Sequence, residues 1–184
     1  MSGKSWKDKI KEHTQARIFL TPSGVSMASS HWLDFKRSHS EARYAVHAAA
    51  NFESMLIEAK KVQKDSICIH SAAQTREVFL KRPDLGRQLS EESKQIVEEK
   101  EYSPSDLVFV VADGLSALAI EKYALNFIEE FAKKNLLQPE SEKLNCGPIF
   151  LVKNGRVAIG DEIGVIACAK WVVVLIGERP GLSS

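Results

Sequence analysis

Three short apolar runs constrain this chain more than any other feature: Leu107–Ala112, Pro148–Val152 and Trp171–Ile176. Each ends at turn chemistry. Asp113-Gly114 closes the first, Lys153-Asn154-Gly155 the second, and Gly177-Glu178-Arg179-Pro180-Gly181 the third. Such runs, rich in β-branched residues and stopped by Gly or Pro, suit strands buried on both faces. Ser116 opens a long helical stretch that fades near Leu137, with Leu118, Leu125, Ile128, Phe131 and Ala132 broadly on one side. A shorter helix including Ile163–Ala169 separates the second and third runs. Strand, helix, strand, helix, strand gives parallel strands joined by crossovers. In an open parallel sheet, ligands sit just beyond the carboxyl ends of the strands.

The chain before Ser103 reads differently. Residues 1–14 are polar and basic, with Trp6 and Ile10 at helical spacing, and fit a short amphipathic helix or a frayed terminus. Residues 15–29 carry loop chemistry around Pro22, Ser23 and Gly24. A helix starts near Ser29 or Ser30 as N-cap, with Phe35, His39, Ala42, Val46 and Ala49 as its apolar stripe. A second runs from Phe52 to about Lys64, with Phe52, Met55, Leu56, Ala59 and Val62 inward. Ser66–His70 is a short strand or an extended link. Asp84, just after Pro83, can cap the next turn, and Ser90-Glu91-Glu92 starts a helix that reaches about Lys100. The fold class is therefore α/β: a mostly helical region, 1–103, then a Rossmann-like parallel-sheet domain, 104–184.

Composition narrows the function classes. With 25 basic and 24 acidic residues the net charge is +1, which makes no case for nucleic acid or an anionic membrane. No apolar run approaches the ~18 residues of a membrane span, and the first nine residues lack the apolar core of a signal peptide. Cys68, Cys146 and Cys168 are too scattered for a C-x-x-C motif and fit a reducing cytosol.

The chain holds few candidates for chemistry of its own. His31, His39 and His47 are eight residues apart, and each step turns a helix face by roughly 80°, so they do not converge on one ion. There is no His-Glu-x-x-His and no Ser nucleophile elbow, so no catalytic or metal residue is assigned. If the chain is catalytic, its chemistry comes from a cofactor or another chain. Gly155, Gly160 and Gly164 match neither the dinucleotide nor the P-loop pattern, and mark turns and a close helix–strand contact or a phosphate cradle. Asp113-Gly114-Leu115-Ser116, at a strand end before a helix, turns its backbone N–H groups to a polar ligand group, or Ser116 is a plain N-cap. Arg17, Arg43, Arg82 and Arg87 form a partner-facing set or ordinary surface pairs. Glu178, at a strand's carboxyl end, accepts hydrogen bonds from a ligand or pairs with Arg179.

Taken in order, a set of segments resembles the small (light) subunit of adenosylcobalamin-dependent ethanolamine ammonia-lyase. The segments are His13-Thr14-Gln15-Ala16-Arg17, Leu33-Asp34-Phe35 with Ser38-His39-Ser40, Leu80 to Arg87, Ala112 to Ser116, Gly155-Arg156-Val157, Asp161 to Gly164, and Gly177 to Leu182. Each is weak alone; in this order and spacing the set is specific.

The resemblance implies N-terminal helices and a Rossmann-like domain that contacts cobalamin. It implies radical deamination of ethanolamine to acetaldehyde and ammonia. Substrate binding and the radical steps belong mainly to a large subunit, a TIM barrel, and the small subunit closes over the cofactor. It places cofactor contacts on Val157 and Glu178, and a third on a Cys beyond the last motif, for which Cys68, Cys146 and Cys168 cannot stand. The implied setting is cytoplasmic ethanolamine catabolism, with a bacterial microcompartment as the alternative location. Two departures matter. Leu20-Thr21-Pro22-Ser23-Gly24 replaces the family's glycine-rich turn, and the family continues well past Gly-Glu-Arg-Pro-Gly. The chain therefore reads as truncated, with a sheet that ends early and apolar surface left uncovered. Two other readings compete: a truncated, non-catalytic subunit that only packs on the large subunit, and a mononucleotide-binding Rossmann module.

Overall fold

The computed structural model describes residues 5–14, 16–20, 22–23 and 25–178. Its centre is a four-stranded parallel sheet of β3 (Ile67–His70), β4 (Ser105–Ala112), β5 (Cys146–Lys153) and β6 (Ala169–Ile176), ordered β3-β5-β4-β6. A small antiparallel pair, β1 (Pro22–Ser23) and β2 (Ser26–Met27), precedes it. Seven α-helices are described: α1 (Trp6–Lys11), α2 (Ser29–His47), α3 (Phe52–Val62), α4 (Arg76–Lys81), α5 (Glu91–Glu98), α6 (Ala117–Leu136) and α7 (Ile159–Ile166). A short 3-10 turn, Leu85–Arg87, comes after α4.

The two-residue side-chain period of the strands sorts the core into two layers. Val108, Val110, Ala112, Phe150 and Val152 face one side, where Val97 of α5 and Ile159 and Ile163 of α7 meet them. Leu107, Phe109, Val111, Ile149 and Leu151 face the other, against Phe52, Met55 and Ala59 of α3 and Ile120, Ala124 and Ile128 of α6. β4 and β5 are covered on both sides and are almost entirely buried. This is the α/β architecture expected from the alternating runs.

Several local expectations shift. β3 is a strand rather than a link, paired with β5 through Ile67↔Phe150 to His70↔Lys153. The sheet thus draws one strand from the chain before Ser103. α2 begins after Ala28, with no side-chain cap, and buries Ala42 of the expected stripe together with Ser38 and Ala45, while Phe35 and Val46 are half-buried and His39 is exposed. Small residues let α2 lie close, whereas its aromatic residues project: Trp32 and Tyr44 are exposed. α6 buries Ala117, Ile120, Ala124 and Ile128, leaving Leu118 exposed. α7 runs Ile159–Ile166, so the expected helix over Ile163–Ala169 ends early and Ala169 opens β6 instead. Ser116 and Asp84 precede their helices without side-chain capping bonds. α4 had no counterpart in the sequence reading, although Thr75 caps it through the Val78 amide at 3.3 Å.

β6 is the clearest correction. Its apolar run predicts burial on both faces, yet it forms an edge strand of the described sheet and its residues are mostly half-buried. Trp171 is 71% exposed.

The glycines of α7 explain why that helix sits so close to β6. A Cβ at Gly160 would stand 2.6 Å from Val174 Cγ2, and one at Gly164 would strike Val172. Close helix–strand contact, not a phosphate cradle, accounts for them. Gly164→Ala is expected to cost about 1–3 kcal/mol in urea unfolding. Val165→Ala, on the exposed side of the same helix, should stay within about 0.5 kcal/mol. Equal costs would contradict this packing.

Candidate functional site

The carboxyl ends of β4 and β6 are tied together just past their last paired residues, Ala112 and Ile176. The Gly177 amide donates to the Ala112 carbonyl at 3.2 Å, and the Leu115 amide donates to the Gly177 carbonyl at 2.6 Å. Gly114 has φ of 51°, in the left-handed region. A Cβ on Gly177 would collide with the backbone of Ser116. Two glycines therefore let two strand ends touch and open a crevice beside them.

Asp113 sits at the centre of this end of the sheet, only 5% exposed. Its Oδ1 accepts from the Gly155 amide at 3.3 Å, and its Oδ2 faces Arg76 Nη1 at 3.4 Å. Arg76 also donates from Nε to the Val46 carbonyl at 2.8 Å, near the end of α2. One carboxylate thus connects β4, the turn after β5, α4 and α2. Its contacts are long for charge-assisted bonds, and burial wins. Desolvation pushes the Asp113 carboxyl up to about 6, against the pull of Arg76 and of backbone amides including Gly155 and Asn154. Burial lowers the Arg76 pKa too; Asp113 opposes that shift and the like charge of Arg156 adds to it.

Phe79 of α4 carries both guanidinium groups. Arg76 lies 4.8 Å and Arg156 4.5 Å from its ring centroid. Arg156 also donates from Nη2 to the Phe79 carbonyl at 3.3 Å, and its backbone amide reaches the Gly86 carbonyl at 2.8 Å. The turn after β5 is thereby clamped to α4 and to the 3-10 turn. Glu162 of α7 adds a link, accepting from the Leu89 amide at 2.8 Å.

These elements enclose a cavity of about 540 Å³. Val157 and Glu178, the two residues singled out from sequence, both line it, together with Arg156, Gly114, Leu115 and Asp161. Val157 is 56% exposed and Glu178 is exposed. Arg179, the alternative partner of Glu178, lies outside the described residues. The four arginines considered as one set do not gather. Arg82 pairs with Asp84, Arg17 bonds Ser38, Arg43 lines a different cavity near α2, and only Arg87 borders this one. Among the described residues no group of three or more His, Cys, Asp or Glu could hold a metal ion, and no helix is long and apolar enough to cross a membrane. A second cavity, about 460 Å³, lies at the opposite end of the sheet beside Tyr102, Ser105 and Asn145.

Sequence reading missed Arg76 and Phe79. The available signal was Thr75 before Arg-Glu-Val-Phe-Leu-Lys, a capped helical turn too short to show periodicity.

Residues 4–184 match the family model described as ethanolamine ammonia-lyase light chain (EutC). Curated relatives named ethanolamine ammonia-lyase small subunit include one from Pseudomonas fluorescens (strain Pf0-1), 44% identical over 96% of this chain and 64% of its own length. Another, from Pseudomonas putida (strain W619), is 43% identical over 95% of this chain and 64% of its own. A third, from Pseudomonas syringae pv. tomato, is 41% identical over 96% and 61%. The chain thus spans less than two thirds of the length of these relatives.

Asp113 gives the site a pH signature. Its carboxyl binds a proton more tightly when folded than at its ordinary value of 3.8. Its contribution to stability is therefore fully present below pH 3.8 and is lost as pH rises through about 6. The size is on the order of 2–3 kcal/mol. Asp113→Asn should flatten the stability profile between pH 4 and 7, measured by urea midpoints. A variant with the wild-type slope would contradict the assignment.

Proposed function

The chain belongs to the ethanolamine ammonia-lyase light chain family, and on that premise we propose that its crevice forms one flank of an adenosylcobalamin site. The carrying observation is that Val157 and Glu178 line the same cavity at the carboxyl ends of the sheet strands. That is where an open parallel sheet seats its ligands.

The residues present fit a corrinoid. Its periphery combines apolar ring edge with amide groups that both donate and accept. Val157 and Leu115 offer apolar contact, Glu178 an exposed acceptor, and Arg87 and Arg156 donors. A corrinoid is larger than this cavity, so only part of it would be seated here, leaving the rest to a partner. We assign that partner as the large subunit, which would bind ethanolamine. Among the described residues no histidine borders the cavity, so these residues would meet the periphery of the cofactor rather than its cobalt.

Bound adenosylcobalamin supplies a radical by homolysis of its cobalt–carbon bond, and the assembled enzyme would use it to convert ethanolamine to acetaldehyde and ammonia. This chain's part is to bind and to orient. Glu178 would accept a hydrogen bond from an amide of the cofactor. Val157 would pack against the ring edge and exclude water from it. Asp113, through the Gly155 amide, would hold the turn that carries Val157. The proposed boundary between 1–103 and 104–184 runs through the site, because Phe79 and Arg87 come from the first part. The cytoplasm, or a microcompartment within it, is the proposed setting.

Mixing this chain with a large subunit should yield a complex that binds cobalamin, measured by visible absorption. Glu178→Ala is expected to weaken binding about tenfold. Unchanged affinity would remove the role of Glu178. A complex that forms but takes up no corrinoid would leave only a packing role.

A further inference from the structure

Arg156 stands out in the cavity wall as a guanidinium that the protein holds in place but does not neutralise. Phe79 stacks on it at 4.5 Å and the Phe79 carbonyl takes one hydrogen bond, from Nη2. Its Nε is buried with no hydrogen-bond partner. Among the described residues it forms no ion pair, whereas its neighbour Arg76 on the same ring has Asp113. The like charge of Arg156 even disfavours the protonated form of Arg76. Two cations share one phenyl ring, and only Arg76 of the two is paired with a carboxylate, Asp113. Nε is closed to any ligand, but the Nη groups keep N–H donors that Phe79 does not use, and these are free for an incoming acceptor. The planar fork suits a phosphate or an amide carbonyl. Gly86 maintains this arrangement, since a Cβ there would meet Phe79 at 3.0 Å and Arg156 Cγ at 3.1 Å. Asp161 and Glu178 line the same cavity but form no ion pair with Arg156 among the described residues.

We propose that Arg156 is a specificity-determining residue that donates hydrogen bonds from its guanidinium to an oxygen acceptor of the bound corrinoid. The inference rests on the cofactor reading above and extends it to a residue adjoining Val157. Two oxygens share the required chemistry: the phosphodiester of the nucleotide loop and the amide carbonyls of the corrin periphery. In either case the Phe79 ring and carbonyl hold the guanidinium in place before the ligand arrives, which lowers the entropy lost on binding.

The test is a binding measurement on the complex of this chain with its large subunit, read by visible absorption rather than turnover. Wild type, Arg156→Gln and Arg156→Lys are titrated with cobalamin and with dicyanocobinamide, which lacks the nucleotide-loop phosphodiester. Thermal midpoints check that each variant is folded. Arg156→Gln is expected to weaken cobalamin about 10- to 100-fold, and Arg156→Lys, which keeps the charge and loses the fork, by less. Loss confined to cobalamin identifies the phosphodiester, and equal loss with both ligands identifies a corrin amide; either supports the proposal. If both variants bind both ligands like wild type, Arg156 is a structural residue and the proposal falls, while the cofactor reading stands. If wild type binds neither ligand, the cofactor reading falls and takes the proposal with it. Should Arg156→Gln unfold, Arg156→Lys decides alone: a folded protein with wild-type affinity for both ligands overturns the proposal.

Discussion

The crevice depends on one buried carboxylate. Asp113 lies at the end of the most buried strand and reaches the turn that carries Arg156 and Val157, while facing the helix that carries Phe79. Its environment does not favour the charge: burial outweighs the long contact with Arg76. A buried pair of this kind is weak evidence for stability and better evidence for geometry. Held ionised above its pKa, it joins the end of β4 to the turn after β5, to α4 and, through Arg76, to the end of α2. The site is therefore assembled from both sides of the Ser103 region, and no single local motif contains it.

Close backbone approach is the second constraint. Gly114 and Gly177 bring the ends of β4 and β6 into contact, and Gly160 and Gly164 press α7 onto β6. These contacts explain why glycines recur through the last third of the chain without forming a phosphate-binding pattern. They also place β6 firmly, although its outer edge has no strand partner among the described residues. The apolar surface beside that edge includes Tyr123 and Phe127 of α6, both exposed. A long apolar edge of this kind is a pairing surface in general.

Much of the fold could be read from the chain because its signals are local. The runs at Leu107, Pro148 and Trp171 became strands, and the stripe Phe52-Met55-Ala59 became the buried face of α3. What misled was tertiary. The composition of β6 reads as central because its residues are β-branched and apolar, but position in a sheet is decided by neighbours the run does not contain. α2 buries alanines and a serine instead of its aromatic residues, since close packing on α6 selects small side chains. At the site, Val157 and Glu178 were visible through ordered motifs, and the structure brings both to one cavity. Arg76 and Phe79 were not visible, because a six-residue helix carries too little periodicity to announce itself.

We propose that a corrinoid is seated at the carboxyl ends of β4 and β6. Amide hydrogen exchange on the assembled complex, with and without cobalamin, tests it most directly. Slowed exchange is expected at residues 114–116, 156–158 and 176–178 on adding cobalamin, with none at the opposite cavity around Tyr102 and Asn145. Protection confined to that opposite end, or no ligand-dependent protection in this chain while the complex holds cobalamin, would contradict it.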